Sequence, residues 1–153
     1  MIIYIDADAC PVKEEVIKVA SRHKIKVFVV SNGGIRINSN PLVRTIIVEN
    51  GLDVADKWIS NRVKILDLVI TNDIPLASNL VKARAFAMTP YGKELNSNNI
   101  GSILATRNLM HDLRSENQFL KNKNVIFSKK NRSEFLNNLE KLIQKIKKYQ
   151  INE

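Results

Sequence analysis

Two apolar runs that each lead into an aspartate constrain this chain more than any other feature. Ile2 to Ile5 is followed by Asp6, and Leu68 to Ile70 by Thr71, Asn72 and Asp73. A short run with no polar alternation is the pattern of a strand buried on both faces, as in a parallel sheet covered by helices. Lys26 to Val30, Arg44 to Val48 and Ala85 to Met88 predict companion strands. Helical stripes lie between them. Val12, Val16, Ile17, Val19 and Ala20 follow Pro11, while Val54, Ala55, Trp58, Ile59 and Val63 follow Asp53. A third helix is expected at Pro75 to Lys82. Strands separated by helices of this length imply right-handed crossovers, so the expected fold class is an α/β three-layer sandwich with a mainly parallel central sheet.

The second half of the chain continues the pattern. Asn96, Ser97, Asn98 and Asn99 end a polar loop and can cap a helix carrying Ile100, Ile103, Leu104, Met110 and Leu113. Ser115 to Asn124 reads as a mobile segment. A basic amphipathic helix is expected at 132–149, docking through Phe135, Leu136, Leu139, Leu142, Ile143 and Ile146. With 153 residues, 44% of them hydrophobic, and no repeat or linker, the chain reads as one domain over 1–153. No apolar run approaches the roughly 20 residues of a membrane span, and the N-terminal run stops at Asp6, so a cytoplasmic protein with no membrane partner is expected. The lone Cys10 makes no internal disulfide and no zinc cluster, which leaves oxygen ligands for any metal.

In an open parallel sheet, ligands bind beyond the carboxyl ends of the strands, where strand order reverses. If the first and fourth strands are neighbours, Asp6 and Asp73 meet there with Asp8 close by. Asp53 and Asp56, at the start of a helix, can project together into the same space. Clustered carboxylates repel unless protonated or bridged by a cation, so Mg²⁺ or Mn²⁺ is the expected cofactor, with Asp6, Asp8, Asp56 and Asp73 as ligands. Helix capping is the competing role for Asp8, Asp53 and Asp56. Thr71 and Asn72 are placed to orient the carboxylates. Cys10 reads as a packed thiol, and neither His23 nor His111 is assigned to catalysis.

Lys and Arg number 24 against 15 Asp and Glu, and the resulting net charge of +9 favours an anionic partner. Arg36, Arg44, Arg107 and Arg114 are the expected phosphate contacts, because guanidinium offers a bidentate fork.

The run Asp6-Ala7-Asp8-Ala9-Cys10-Pro11-Val12-Lys13, then Gly51-Leu52-Asp53-Val54-Ala55-Asp56, then Asp67-Leu68-Val69-Ile70-Thr71-Asn72-Asp73-Ile74-Pro75-Leu76-Ala77, resembles the YaiI/YqxD family of uncharacterised bacterial proteins. The resemblance extends to Arg107-Asn108-Leu109-Met110 with Leu113-Arg114, and to Phe127-Ser128 with Arg132-Ser133-Glu134-Phe135. That family is similar in arrangement to the PIN-like nuclease superfamily, where acids at strand ends bind divalent metal for phosphodiester hydrolysis. The resemblance implies that Asp6 matches the acid after the first strand, Asp53 or Asp56 the acid on the middle helix, and Asp73 the acid after the fourth strand, with Asp8 a family-specific addition. Arg84 and Tyr91 stand where glycine and a basic residue are common, and Asn131 replaces a frequent aspartate.

The leading expectation is a Mg²⁺- or Mn²⁺-dependent nuclease-like protein acting on RNA or another phosphodiester, with Asp6, Asp8, Asp53, Asp56 and Asp73 as catalytic residues. The alternative is a non-catalytic nucleic-acid-binding protein of the same fold. A third reading takes Asp6 and Asp8 as the nucleophile and acid/base of a haloacid-dehalogenase-like phosphatase.

Overall fold

The apolar runs become the strands of one sheet: β1 (Ile3–Asp6), β2 (Val27–Ser31), β3 (Val43–Ile47), β4 (Leu68–Ile70), β5 (Phe86–Met88) and β6 (Glu94–Leu95). The computed structural model describes residues 1–51, 53–116 and 127–152, with backbone alone at Ala9 and at 111–116. The strand order is β3-β2-β1-β4-β5-β6. All neighbours are parallel except β5 and β6. β6 falls in the segment expected to be a polar loop; with two residues, only Leu95 of them apolar, it has no period to recognise.

Alternation along β1 divides the interior. Ile3 and Ile5, with Val27, Val29, Leu68 and Ile70, face α1 (Lys13–Arg22) and α5 (Lys129–Ile151), which contribute Val16, Val19, Phe135, Leu139, Ile143 and Ile146. Tyr4, Val30 and Val69 face the other way, onto Ala55 and Ile59 of α2 (Val54–Ser60) and Leu76 and Leu80 of α3 (Ile74–Lys82). The start of α4 (Ile100–Glu116) adds Ile100 and Ile103 beside Ala77, Ala87 and Leu95. Each fully buried aliphatic or aromatic side chain of these layers stabilises the fold by about 1.5–3 kcal/mol relative to exposure. The result is the expected α/β sandwich with a PIN-like arrangement, and among the described residues no helix is long and apolar enough to cross a membrane.

Local differences from expectation have local causes. A 3-10 turn at Ala7–Ala9 takes up the chain after Asp6, so α1 begins at Lys13, with Val12 rather than Asp8 as its cap. α5 starts earlier than expected because Ser128 Oγ accepts from Asn131 N at 3.1 Å, an N-cap the lysine-rich sequence obscures. The expected mobile segment begins as the last turn of α4 at Ser115 and Glu116 and otherwise lies outside the described residues. Arg84 adopts φ +64°, the left-handed conformation glycine reaches without Cβ strain.

From β1 the chain winds outward to β2 and β3, then returns to lay β4 on the other side of β1. The β1/β4 boundary is therefore the topological switch point. Ile3 pairs with Leu68 and Ile5 with Ile70, so both strands end at the same level, and Asp6 and Thr71–Asp73 leave from one edge.

Candidate metal centre

Asp73 is fixed first. It caps α3, with Leu76 N donating to its Oδ1 at 2.9 Å, and its own N–H donates to Thr71 Oγ1 at 2.9 Å. The Thr71 hydroxyl, fully buried, donates in turn to Asp6 Oδ2 at 2.9 Å. One threonine thus links the Asp6 carboxylate to the backbone amide of Asp73. Asn72, between Thr71 and Asp73, is exposed.

α2 brings the other acids. Its buried face, Ala55 and Ile59, packs on Tyr4 and Val69, which sets the helix rotation and turns Asp56 toward the crevice. Asp53 precedes the helix in a left-handed conformation (φ +63°), and its side chain caps no amide. Gly51 permits the tight approach, since a Cβ there would lie 2.9 Å from Val54 Cγ2. Oxygens of Asp53, Asp56 and Asp73 lie within 4.8 Å of one another. Among the described residues none of the three is ion-paired with a lysine or arginine.

The electrostatics follow. Burial, a hydrogen bond to Asp73, and the charges of Asp73, Asp6 and Asp53 push the Asp56 carboxyl up to about 7. A hydrogen bond between two carboxyl groups requires a proton, so the pair favours the protonated form of Asp56. Burial also raises Asp6, with the charges of Asp8 and Asp73 adding and the Thr71 bond opposing. Asp6 borders the cluster, and Asp8 turns aside: its Oδ1 accepts from Ser31 Oγ at 3.0 Å and from Asn32 N at 3.1 Å, at the end of β2.

A cavity of about 410 Å³ opens onto the cluster, lined by Asp53, Asp56, Asp73, Asn79 and Arg107. Of the four arginines expected to contact phosphate, Arg107 therefore faces the acids. Arg36 lines a separate hollow with Lys13 and Thr45, Arg44 is exposed on β3, and the Arg114 side chain lies outside the described residues. Cys10 is buried and its thiol pushed up to about 11, which keeps it protonated and unreactive.

Over residues 4–145 the sequence matches the family described as uncharacterized BCR, YaiI/YqxD. A UPF0178 protein of Roseobacter denitrificans is 50% identical over 143 residues, covering 94% of this chain and 95% of the relative. One from Cereibacter sphaeroides is 52% identical, covering 94% and 88%. The chain belongs to the YaiI/YqxD family. A third relative, from Parvibaculum lavamentivorans, is 47% identical over 146 residues and 95% of both chains. No solved structure matches. The family assignment spans the whole acidic constellation, from Asp6 to Asp73, together with Arg107.

Long-range polar contacts escaped the sequence. His23, with no acid at obvious spacing, pairs through Nε2 with Glu140 Oε1 at 2.8 Å, and Arg132 reaches Glu15 at 2.7 Å. Both join α1 to α5, and no local pattern announces partners more than 100 positions apart.

Proposed function

We propose that this YaiI/YqxD protein is a divalent-metal-dependent phosphodiesterase acting on RNA. The observation that carries the reading is the approach of Asp53, Asp56 and Asp73 to within 4.8 Å with, among the described residues, no salt bridge from a lysine or arginine to any of them. An all-carboxylate donor set suits a hard cation, and the rise in the Asp56 carboxyl from burial and the neighbouring acids reflects crowded negative charge that a cation would neutralise. Asp53, Asp56 and Asp73 would hold Mg²⁺ or Mn²⁺, with Asp6 bordering. Such an ion, when bound, activates water and stabilises charge on a phosphoryl oxygen.

The chain's own groups do the positioning. Thr71 fixes Asp6 and Asp73 relative to each other, and the α3 amide of Leu76 holds Asp73 in one rotamer. The left-handed backbone at Asp53 places an uncapped carboxylate at the crevice mouth, a local cost of the kind that clusters at functional sites. Arg107, which lines the same cavity, would offer its guanidinium to the phosphate. Because the ion competes with the Asp56 proton, affinity rises with pH through about 7.

The test is incubation of purified protein with labelled single-stranded RNA and Mn²⁺, comparing wild type with Asp6→Asn and Asp73→Asn. Cleavage that survives both substitutions undiminished rejects the assignment. A second reading, RNA binding without hydrolysis, draws on the exposed Lys129, Lys130, Lys141 and Lys148 of α5; salt-sensitive binding with no Mn²⁺-dependent cleavage would select it. The phosphatase reading has less support, since Asp8 turns toward Ser31 and Asn32.

A further inference from the structure

The turn joining β5 to β6 leaves the sheet at the same edge as the acids. Thr71 N donates to Met88 O at 3.0 Å, so the end of β5 lies directly beside the residues that lead into Asp73. Three residues beyond Met88 stands Tyr91, 42% exposed. Its ring meets that of Phe127, with centroids 5.3 Å apart and planes at 55°. The Arg132 guanidinium lies 5.1 Å from the Phe127 centroid and donates to Pro11 O at 3.0 Å, in the segment that follows Asp6. The aromatic pair is therefore tied on one side to the β4/β5 end and on the other to the chain leaving β1.

The turn is also held rigidly. Gly92 takes φ +87°, and a Cβ there would sit 3.1 Å from Phe135 Cα, so the turn presses directly on α5. Thr89 N donates to Lys93 O at 2.9 Å and Gly92 N to Thr89 O at 2.9 Å. An aromatic ring on a fixed turn, half open to water and flanked by the exposed Lys93, has the chemistry of a base-stacking platform next to backbone-attracting charge.

We propose that Tyr91, backed by Phe127, stacks an unpaired nucleobase of the strand whose phosphate enters the acidic crevice. This rests on the phosphodiesterase reading and narrows its substrate to single-stranded RNA. Bases in a duplex have their faces covered by neighbours and offer nothing to the ring. Arg132, already engaged with Glu15 and Pro11, acts as a positioning residue for Phe127.

The test uses the full chain without divalent metal and a labelled RNA strand at low salt, read by fluorescence anisotropy. Tyr91→Ala should raise Kd for the unpaired strand roughly tenfold, while Tyr91→Phe restores it. Binding of the same sequence as a duplex should change less than about twofold, and an abasic strand should bind wild type and Tyr91→Ala alike. Equal affinity of wild type and Tyr91→Ala for the unpaired strand overturns the proposal, as does equal weakening for strand and duplex, or no binding by wild type. Cleavage with Mn²⁺ is scored separately. The expected binding pattern without cleavage keeps the stacking step and removes the phosphodiesterase, whereas cleavage indifferent to Tyr91→Ala does the reverse.

Discussion

Where α5 meets the rest of the molecule, Glu140, Lys145 and Lys147 find partners of opposite charge or polar atoms; in the β1/β4 crevice, the carboxylates of Asp53, Asp56 and Asp73 crowd together. Lys145 meets Glu94 at 3.1 Å, Glu140 meets Arg22 at 3.0 Å, and Lys147 Nζ lies 2.8 Å from His23 Nδ1. These contacts ring an apolar face that is already buried, and they fasten α5 to α1 and β6. Among the described residues Asp53, Asp56 and Asp73 converge with no salt bridge to a lysine or arginine, and burial together with the neighbouring acids pushes the Asp56 carboxyl up to about 7. The contrast separates charge used for docking from the crowded carboxylates on which the proposed metal site rests.

Substitutions can break this contrast, and the largest effect belongs to the docking side. Phe135→Ala, which empties a fully buried position under α5, should destabilise the fold by about 3–5 kcal/mol in urea denaturation. Manganese affinity of the protein that remains folded should be unchanged. In the crevice, Asp73→Asn should lower Mn²⁺-dependent RNA cleavage by at least about 100-fold, since even residues behind metal ligands cost 10–100-fold when replaced. Asparagine is as good an N-cap as aspartate, so this variant should keep its melting temperature; Asp73→Ala should lose both activity and about 1 kcal/mol of stability.

Manganese itself should sharpen the difference. At pH 8 and a hundredfold excess over Kd, thermal unfolding should shift upward by roughly 5–10 °C, and by much less at pH 5.5, where Asp56 is protonated. Without metal the sign is opposite for Asp56. Its carboxyl is raised from 3.8 to about 7 in the fold, so the folded state holds a proton that the unfolded chain releases, and the associated stability is lost as pH rises through that window. Asp56→Asn should flatten that part of the stability profile. The smallest effect belongs to Lys145→Ala, at no more than about 1 kcal/mol, because an exposed pair with Glu94 is screened by solvent.

Much of this was legible before any coordinates. Ile2 to Ile5 and Leu68 to Ile70 announced buried parallel strands because nothing polar interrupts them, and the aspartates beyond them pointed to the crevice. Asp53 and Asp56 were harder to place. Their approach to Asp73 depends on how Ala55 and Ile59 seat α2 on Tyr4 and Val69, a packing outcome that helical periodicity alone cannot rotate correctly. Asp8, expected close to Asp6 as a ligand with capping as its competing role, is carried by the turn at Ala7–Ala9 to the end of β2, where the Ser31 hydroxyl and the Asn32 amide donate to it. β6 and the pairs His23–Glu140 and Arg132–Glu15 left no local trace, since each exists only once distant segments have met.

The most direct measurement is a crystal of the protein soaked in Mn²⁺ at pH 8, with anomalous scattering collected at the manganese edge. The account predicts a peak bounded by the carboxylates of Asp53, Asp56 and Asp73 and lost in Asp73→Asn. An empty crevice in wild type under the same conditions, or manganese held only elsewhere on the surface, would contradict it.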